Sequence, residues 1–202
     1  MLNNPAARRV VKGVIEPPAR LLVRMRVSPD AVTIAGTIGA VVVALTCLTT
    51  GRFLLAVGLM VVIGMSDLLD GTMARLTGSS GPWGNFLDAT MDRIADGAIF
   101  GSIAYWGATN DQWWVMSGSL VALVTGQVTS YAKARAEAVG ATANVGIAER
   151  AERLIVLGIA VLLTGFGVPY VLAIAVWVIA VFGIVTIIQR IVVVRRQLLS
   201  GE

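Results

Sequence analysis

Long apolar runs separated by short polar breaks recur along the whole chain. Each run approaches the roughly 20 residues that an α-helix needs to cross the hydrocarbon core of a bilayer. The breaks contain glycine, proline, asparagine and aspartate, which end helices. The pattern predicts an all-α integral membrane protein with six transmembrane helices, at residues 31–50, 53–76, 86–108, 112–136, 152–166 and 169–193.

The segment before the first run has a different pattern. Six cations alternate with aliphatic residues between positions 8 and 26, namely Arg8, Arg9, Lys12, Arg20, Arg24 and Arg26. This predicts an N-terminal amphipathic interfacial helix on an anionic membrane surface, interrupted near Pro17-Pro18. A basic flank that only sets topology is a compatible alternative, and no signal peptide is expected because no apolar core follows the first charges. The predicted organisation is a basic arm at 1–27, a six-helix domain at 28–194 and a tail at 195–202.

The lysines and arginines predict the orientation of these helices. With six spans, both termini and the segments at 77–85 and 137–151 face one compartment. Fifteen of the 16 Lys and Arg residues lie in or beside that side, and only Arg52 lies opposite. Under the positive-inside rule we expect that side to be the cytoplasm, with both termini cytoplasmic in a multi-pass protein of the cell membrane.

Composition narrows the possible chemistry. Of 202 residues, 56% are hydrophobic and 14% charged, and the mean hydropathy is +0.81. Soluble domains carry about a quarter charged residues, so a cytosolic enzyme is excluded. The chain has no histidine and a single cysteine, Cys47. Histidine-dependent catalysis and cysteine-rich metal sites are therefore excluded, and any metal must be held by oxygen, which favours magnesium, manganese or calcium.

Five aspartates interrupt this apolar background. Asp67 and Asp70 lie at the cytoplasmic end of the second predicted span, and Asp88, Asp92 and Asp96 begin the third. Spacings of three and four residues place each set on one helix face, and the short turn between the spans makes them antiparallel neighbours. Two acidic faces are therefore expected to converge at the membrane–cytoplasm boundary.

The free energy needed to place these carboxylates in a membrane favours a functional role for them. Five unpaired aspartates at the centre of a membrane would cost roughly 12 to 18 kcal/mol, and less near the interface. One or two divalent cations are the natural partners of such a cluster. The alternative is structural, with the aspartates paired to Arg75 and Arg93 inside the bundle.

The full spacing is more specific than the cluster. It reads Asp67-x-x-Asp70-Gly71-x-x-Ala74-Arg75, then eight residues, then Gly84-x-x-x-Asp88-x-x-x-Asp92. These eight residues across 26 positions resemble the signature of the CDP-alcohol phosphotransferase family. The resemblance extends over residues 28 to 193, and it implies transfer of a substituted phosphate from a CDP-linked donor to an alcohol, with release of CMP.

The resemblance also implies roles for the aspartates. Asp67, Asp70 and Asp88 would hold the metal that binds the diphosphate, and Asp92 would join a second metal site. Asp92 is also the expected general base for the acceptor hydroxyl. The implied cofactor is Mg²⁺, with Mn²⁺ possible, at two ions per active site. Asp96 lies outside the signature; supporting the site and pairing with a basic residue are the two alternatives for it, and it is not assigned as a ligand.

Other positions predict the binding site for the CDP-linked donor. Gly71, Ala74 and Gly84 lack bulk and would leave room for the nucleotide diphosphate, although small residues also allow close helix packing. Arg75 supplies a fixed charge for phosphate. Asp30 and Thr33 open the first span in a Pro-x-x-x-Thr segment that lies near the cytidine in relatives, where simple helix capping is the alternative.

Cations on the cytoplasmic side predict an acceptor that carries phosphate. The end of the fourth span and the start of the fifth resemble the phosphatidylinositol-phosphate synthases of actinobacteria, except that Ala151 replaces an expected proline. That resemblance implies binding of the acceptor phosphate by Lys133, Arg153 and Arg190, with Arg135 and Arg150 as weaker candidates. Plain topology is the alternative explanation of these charges.

The predicted function is therefore transfer of a phosphatidyl group from CDP-diacylglycerol to inositol 1-phosphate. A phosphatidylglycerophosphate synthase using glycerol-3-phosphate is the nearest alternative. A divalent-cation transporter is a remote one, because the outer halves of the spans carry no comparable acids. By resemblance a homodimer in the lipid bilayer is expected, and small residues such as Gly36 and Gly39 suit close packing; no nucleic-acid partner is expected.

Overall fold

The computed structural model describes residues 11–79, 81–147 and 149–200, and all regular structure in these residues is helical. Arg8 and Arg9 of the predicted arm lie outside the described residues, as does the side chain of Lys12. We number the helices α1 (Glu16–Arg24), α2 (Pro29–Val43), α3 (Phe53–Gly64), α4 (Ser66–Thr77), α5 (Pro82–Thr109), α6 (Trp113–Ala138), α7 (Arg150–Gly165) and α8 (Val171–Ser200). Short π-helical stretches precede α1 at Val11–Ile15 and extend α2 at Ala44–Leu48.

All six predicted spans are helical. Within the described residues, three helical segments are long and apolar enough to cross a membrane by length and composition, at Pro29–Leu48, Phe53–Thr77 and Val171–Leu199. The all-α fold with several apolar helices is therefore confirmed. The count of six spans stays a prediction.

Two compact units divide the chain. The first comprises Met1–Val43 and Gly58–Ala95, and the second comprises Ala44–Val57 and Asp96–Glu202. The signature aspartates and the donor-site candidates all belong to the first unit. The acceptor-site candidates all belong to the second.

Helix α1 occupies part of the predicted basic arm. Its prolines, Pro17 and Pro18, lie in its first turn and begin the helix instead of interrupting one. The first turn tolerates proline because its N–H groups have no partner within the helix. Ala19 is fully buried where α1 packs on α4, whereas Leu21 and Met25 are exposed. Its placement at a membrane surface stays a prediction.

The second predicted span is broken at Met65, between α3 and α4. Gly64 and Ser66 flank the break, and the Ser66 hydroxyl lies 2.5 Å from the Ile63 carbonyl oxygen. Glycine and serine pairs are common causes of sharp kinks, because the hydroxyl competes for a backbone carbonyl. The break therefore comes two residues before Asp67.

Helices α2 and α4 approach closely in an antiparallel register. A Cβ at Gly36 would lie 3.0 Å from the Ser66 hydroxyl oxygen, and a Cβ at Gly39 would lie 3.4 Å from Ile63 Cδ1. These glycines face a contact within the chain, where small residues let helix backbones come together. Thr33 lies one turn before Gly36 on α2, and the same register places it beside Asp70 on α4.

The second unit is organised around α6 and α8, with α7 packed on α8. Buried aliphatic residues such as Ala122, Val176 and Ile179 lie in this unit. The segment between α6 and α7 is fastened to α8 through Thr142. Its backbone N–H donates to Gln197 Oε1 at 2.8 Å, and Gln197 Nε2 donates back to its carbonyl at 2.9 Å.

We predict that Gly36→Leu destabilises the protein by about 1–3 kcal/mol, because the added side chain cannot fit against Ser66. Thermal unfolding in detergent measures this. Gly58→Leu is the matched control, since a Cβ there would meet no atom within 4 Å among the described residues. Equal unfolding temperatures for the two variants would contradict the close approach.

Candidate active site

Asp70 is the most buried of the signature carboxylates. It lies on α4 with 9% of its surface exposed. The Thr33 hydroxyl lies 2.6 Å from Asp70 Oδ2, and 3.2 Å from the Pro29 carbonyl oxygen of its own helix. The shorter contact joins α2 to α4. A buried carboxylate needs such a donor, because an unsatisfied charge in an apolar segment is costly.

Two further carboxylates surround Asp70. Asp67 precedes it by one turn and Asp88 comes from α5, and both exert an electrostatic repulsion on it. Both are exposed. Asp67 and Asp88 are therefore near enough to Asp70 to interact with it electrostatically, and the predicted convergence of the two acidic faces stays a prediction.

The chemistry of this donor set fits a hard divalent cation. Asp67, Asp70 and Asp88 supply only oxygen ligands, as Mg²⁺ and Mn²⁺ prefer. Among the described residues, however, no three acidic or sulfur-bearing side chains are arranged so as to hold a metal ion. The carboxylates would thus have to close around a bound cation.

Asp92 lies one turn after Asp88 on α5 and is half-buried. Its Oδ2 is 3.8 Å from Nη2 of Arg93, the adjacent residue. The structural alternative, in which the aspartates pair with Arg75 and Arg93, is thus represented by this long ion pair between Asp92 and Arg93. Arg75 instead donates from Nη2 to the Thr72 hydroxyl at 2.9 Å, which holds it along its own helix.

Gly71 and Gly84 face open space. A Cβ at either position would meet no atom of the described residues within 4 Å, outside its own helix backbone. Close helix packing therefore does not explain these two glycines, unlike Gly36. This favours the prediction that they leave room for a ligand. Ala74, one turn after Gly71, is half-buried.

Asp30 is held by a residue that the sequence analysis missed. Trp83, in the first turn of α5, donates its indole N–H to Asp30 Oδ2 at 2.9 Å. The predicted capping is also present, because the Ser28 hydroxyl accepts from the Ala31 N–H at 3.2 Å. Ser28 performs the cap, so the carboxylate of Asp30 is not needed for it. A tryptophan 53 residues away gives no signal in sequence that it pairs with Asp30.

In the second unit, two candidate cations meet Asp96. Arg150 Nε lies 3.1 Å from Asp96 Oδ1, and Arg153 Nη2 lies 3.9 Å from Asp96 Oδ2. Asp96 and Arg153 are both buried. Helix α7 begins at Arg150, and Glu152 accepts from the Glu149 N–H at 2.6 Å in a capping box. The helix start is therefore well capped although Ala151 replaces the expected proline.

Arg190 on α8 is buried and bound to backbone. Its Nε donates to the Val145 carbonyl at 3.0 Å, and its Nη1 donates to the Thr129 carbonyl at 2.5 Å. The side chain thus ties the segment before α7 to α6. The sequence analysis predicted that Arg190 binds phosphate, and it did not predict these hydrogen bonds to the backbone. Of the other candidates, Lys133 is half-buried and Arg135 is exposed.

The model of the CDP-alcohol phosphatidyltransferase family matches residues 26–188. The chain belongs to this family. As a family member with several apolar helices it is a transferase and a membrane protein, as the sequence predicted. The match covers the whole signature from Asp67 to Asp92.

Curated relatives of this family member are phosphatidylinositol phosphate synthases. That of Streptomyces avermitilis is 45% identical over 202 residues, covering 96% of this chain and 83% of the relative. That of Corynebacterium glutamicum is 40% identical over 197 residues, covering 96% and 90%.

Solved structures agree with these relatives. The Mycobacterium tuberculosis phosphatidylinositol phosphate synthase with CDP-DAG bound is 39% identical, with a TM-score of 0.85 over 90% of this chain and 93% of that chain. The same enzyme in complex with manganese and citrate also has a TM-score of 0.85, over 90% and 88%.

We predict that Thr33→Val destabilises the protein by about 1–3 kcal/mol, because it removes the side-chain hydroxyl that donates to buried Asp70 and leaves the backbone N–H of Gly71 as its hydrogen-bond donor among the described residues. The measurement is thermal unfolding in detergent without divalent cations. Thr37→Val is the matched control, since Thr37 is also half-buried on α2 and, within the described part of the chain, its hydroxyl donates to the Thr33 carbonyl of its own helix and to no other helix. A control as unstable as Thr33→Val would show that the contact with Asp70 contributes nothing.

Proposed function

We propose that this protein transfers a phosphatidyl group from CDP-diacylglycerol to inositol 1-phosphate, giving phosphatidylinositol phosphate and CMP. The observation that carries the proposal is the identity of 40–45% to phosphatidylinositol phosphate synthases over nearly the whole chain. The complete aspartate signature and the arginine cluster on α7 agree with it. The reaction belongs to phospholipid biosynthesis.

Metal binding is assigned to the four signature aspartates, Asp67, Asp70, Asp88 and Asp92. Mg²⁺ is the proposed cofactor, with two ions per active site, and Mn²⁺ is a substitute. The manganese complex of the related Mycobacterium tuberculosis enzyme supports this assignment. When bound, the ions would neutralise the pyrophosphate of the donor and the charge on the departing CMP.

The donor is assigned to the first unit. Asp30 and Thr33 would contact the cytidine end, and Asp67 and Arg75 the diphosphate. Open space beside Gly71 and Gly84 supports the passage of the diphosphate along the helix backbones, with Ala74 as a third small position. Trp83 would keep the Asp30 carboxylate in place through its indole N–H.

Asp92 is assigned as the general base. It would take the proton from an acceptor hydroxyl while that oxygen forms a new ester bond to the phosphorus of the phosphatidyl group. The phosphoanhydride bond to CMP breaks, and its bridging oxygen leaves on CMP. Half-burial near the interface suits this task, since the carboxylate remains reachable by a polar acceptor.

The acceptor phosphate is assigned to Lys133, Arg153 and Arg190, with Arg135 and Arg150 in support. Arginine suits phosphate because its planar guanidinium offers parallel N–H donors. Arg190 would have to serve the phosphate in addition to the two carbonyls that it already binds. Arg150 and Arg153 have the stronger case, because Asp96 presents both on one side of α7.

The cellular setting follows from the same proposal. We assign the protein to the cell membrane as a multi-pass protein, with the active site and both termini on the cytoplasmic side, where the soluble acceptor is available. A homodimer is proposed for the assembly. The lipid bilayer is the solvent for the exposed apolar helices.

The test is CMP release by purified protein with CDP-diacylglycerol and Mg²⁺, with inositol 1-phosphate, glycerol-3-phosphate, inositol and serine offered separately. We expect release with inositol 1-phosphate alone. Release with glycerol-3-phosphate alone would make the protein a phosphatidylglycerophosphate synthase. Absence of release with every acceptor would overturn phosphatidyl transfer and bring back the divalent-cation transporter, which a liposome uptake assay would detect.

We predict that Asp92→Asn lowers kcat by about 10²–10⁴-fold, because the amide cannot accept the hydroxyl proton. Binding of CDP-diacylglycerol should persist in an equilibrium assay. Asp111→Asn is the control, since Asp111 lies between α5 and α6 at a positive φ of 57° that asparagine also adopts. An Asp92→Asn enzyme with wild-type turnover would remove Asp92 as the base.

A further inference from the structure

Asp96 is a buried carboxylate that the proposed chemistry does not use. It lies on α5 outside the signature, with 5% of its surface exposed. Each of its two oxygens faces a different arginine of α7, with Oδ1 3.1 Å from Arg150 Nε and Oδ2 3.9 Å from Arg153 Nη2. Burying a carboxylate and a guanidinium together costs desolvation free energy, which is offset only when the two groups are well aligned and their remaining hydrogen-bonding positions are filled.

The spacing of the two arginines explains why a carboxylate is needed between them. Residues three apart on a helix point to the same side, so the guanidinium groups of Arg150 and Arg153 repel each other. Arg153 is itself buried, with 4% of its surface exposed. Asp96 offsets one of the two charges and leaves the trio with one net positive charge.

Besides Asp96, the backbone of α6 at Gly126 limits where the Arg153 guanidinium can lie. A Cβ at Gly126, on α6, would stand 2.9 Å from Arg153 Nη1 and 3.4 Å from its Cζ. Any side chain at position 126 would therefore push the guanidinium away from its present place. Asp96 from α5 and Gly126 from α6 together fix the position of this one group.

We propose that Asp96 is a positioning residue for the acceptor. It holds Arg150 and Arg153 in the arrangement that binds the phosphate of the acceptor alcohol, with the Arg153 guanidinium in the space that Gly126 leaves by having no side chain. The inference rests on the proposed function and deepens it. Asp96 acts through the arginines and touches neither the donor nor the reacting atoms. Its loss should weaken binding of the acceptor and spare binding of the donor.

The experiment measures steady-state CMP release while each substrate is varied in turn. Asp96→Asn should raise the KM for inositol 1-phosphate roughly tenfold or more, by analogy with the cost of losing a supporting partner. The KM for CDP-diacylglycerol and the kcat should change less than about twofold, which sets this effect apart from a general loss of structure. Glu137→Gln, an exposed carboxylate on α6, is the control and should leave every parameter unchanged.

Further variants test whether Asp96 acts through the arginines. In an Arg150→Gln background, Asp96→Asn should raise the acceptor KM by a smaller factor than in the wild type, because part of its role is already lost. Asp96→Glu should restore part of the affinity, since it returns the charge. Gly126→Ala should also raise the acceptor KM, because it displaces the Arg153 guanidinium while Asp96 is intact. If Asp96→Asn cannot be purified, Asp96→Glu takes its place, and an acceptor KM equal to that of the wild type together with an unchanged KM in Gly126→Ala would overturn the positioning role.

The outcomes separate this inference from the proposed function. Wild-type protein that releases no CMP with inositol 1-phosphate overturns the function. If the wild type is active, an unchanged acceptor KM in Asp96→Asn overturns the positioning role alone. An equal rise in both KM values, or full additivity with Arg150→Gln, also overturns it, because a merely structural residue would behave in that way.

Discussion

The hydrogen bond between Thr33 and Asp70 is the contact on which the first unit depends. An apolar helix can carry a buried carboxylate only if a donor satisfies it. Thr33 supplies that donor because Gly36 lets α2 approach Ser66, which sets the register of the two helices. Asp67 and Asp88 add negative charge around Asp70, which would attract a cation to this site.

In the second unit the buried charges include positive ones, and polar partners stabilise them as Thr33 stabilises Asp70. Arg190 is buried and donates to two backbone carbonyls, and Arg153 is buried beside the Asp96 carboxylate. In each case a polar partner from another helix or loop compensates for lost hydration. Burial and polar contacts restrict Asp70, Arg153 and Arg190 in the absence of substrate, whereas Asp67 and Asp88 are exposed and would have to move toward Asp70 to hold a cation.

Sequence reasoning predicted what depends on local pattern and missed what depends on distant pairing. The helical spans follow from apolar runs, and the aspartate signature is contiguous enough to read directly. The break at Met65 was missed because Gly64 and Ser66 lie inside an otherwise continuous apolar run. Pairing of Asp96 with a basic residue was one of the two alternatives, but sequence could not name its partners or those of Arg190. These partners lie 45 to 61 residues away, and pairing at that distance depends on how the helices pack.

The central claim is that the carboxylates around Asp70 hold a divalent cation. Titration of the purified protein with Mn²⁺, followed by electron paramagnetic resonance of the free ion, tests it without any substrate. Saturable binding that Mg²⁺ displaces is the predicted result. Asp70→Asn and Asp88→Asn should each weaken it at least tenfold, and Asp111→Asn should not. Binding of equal strength in the wild type and in both site variants would contradict the account.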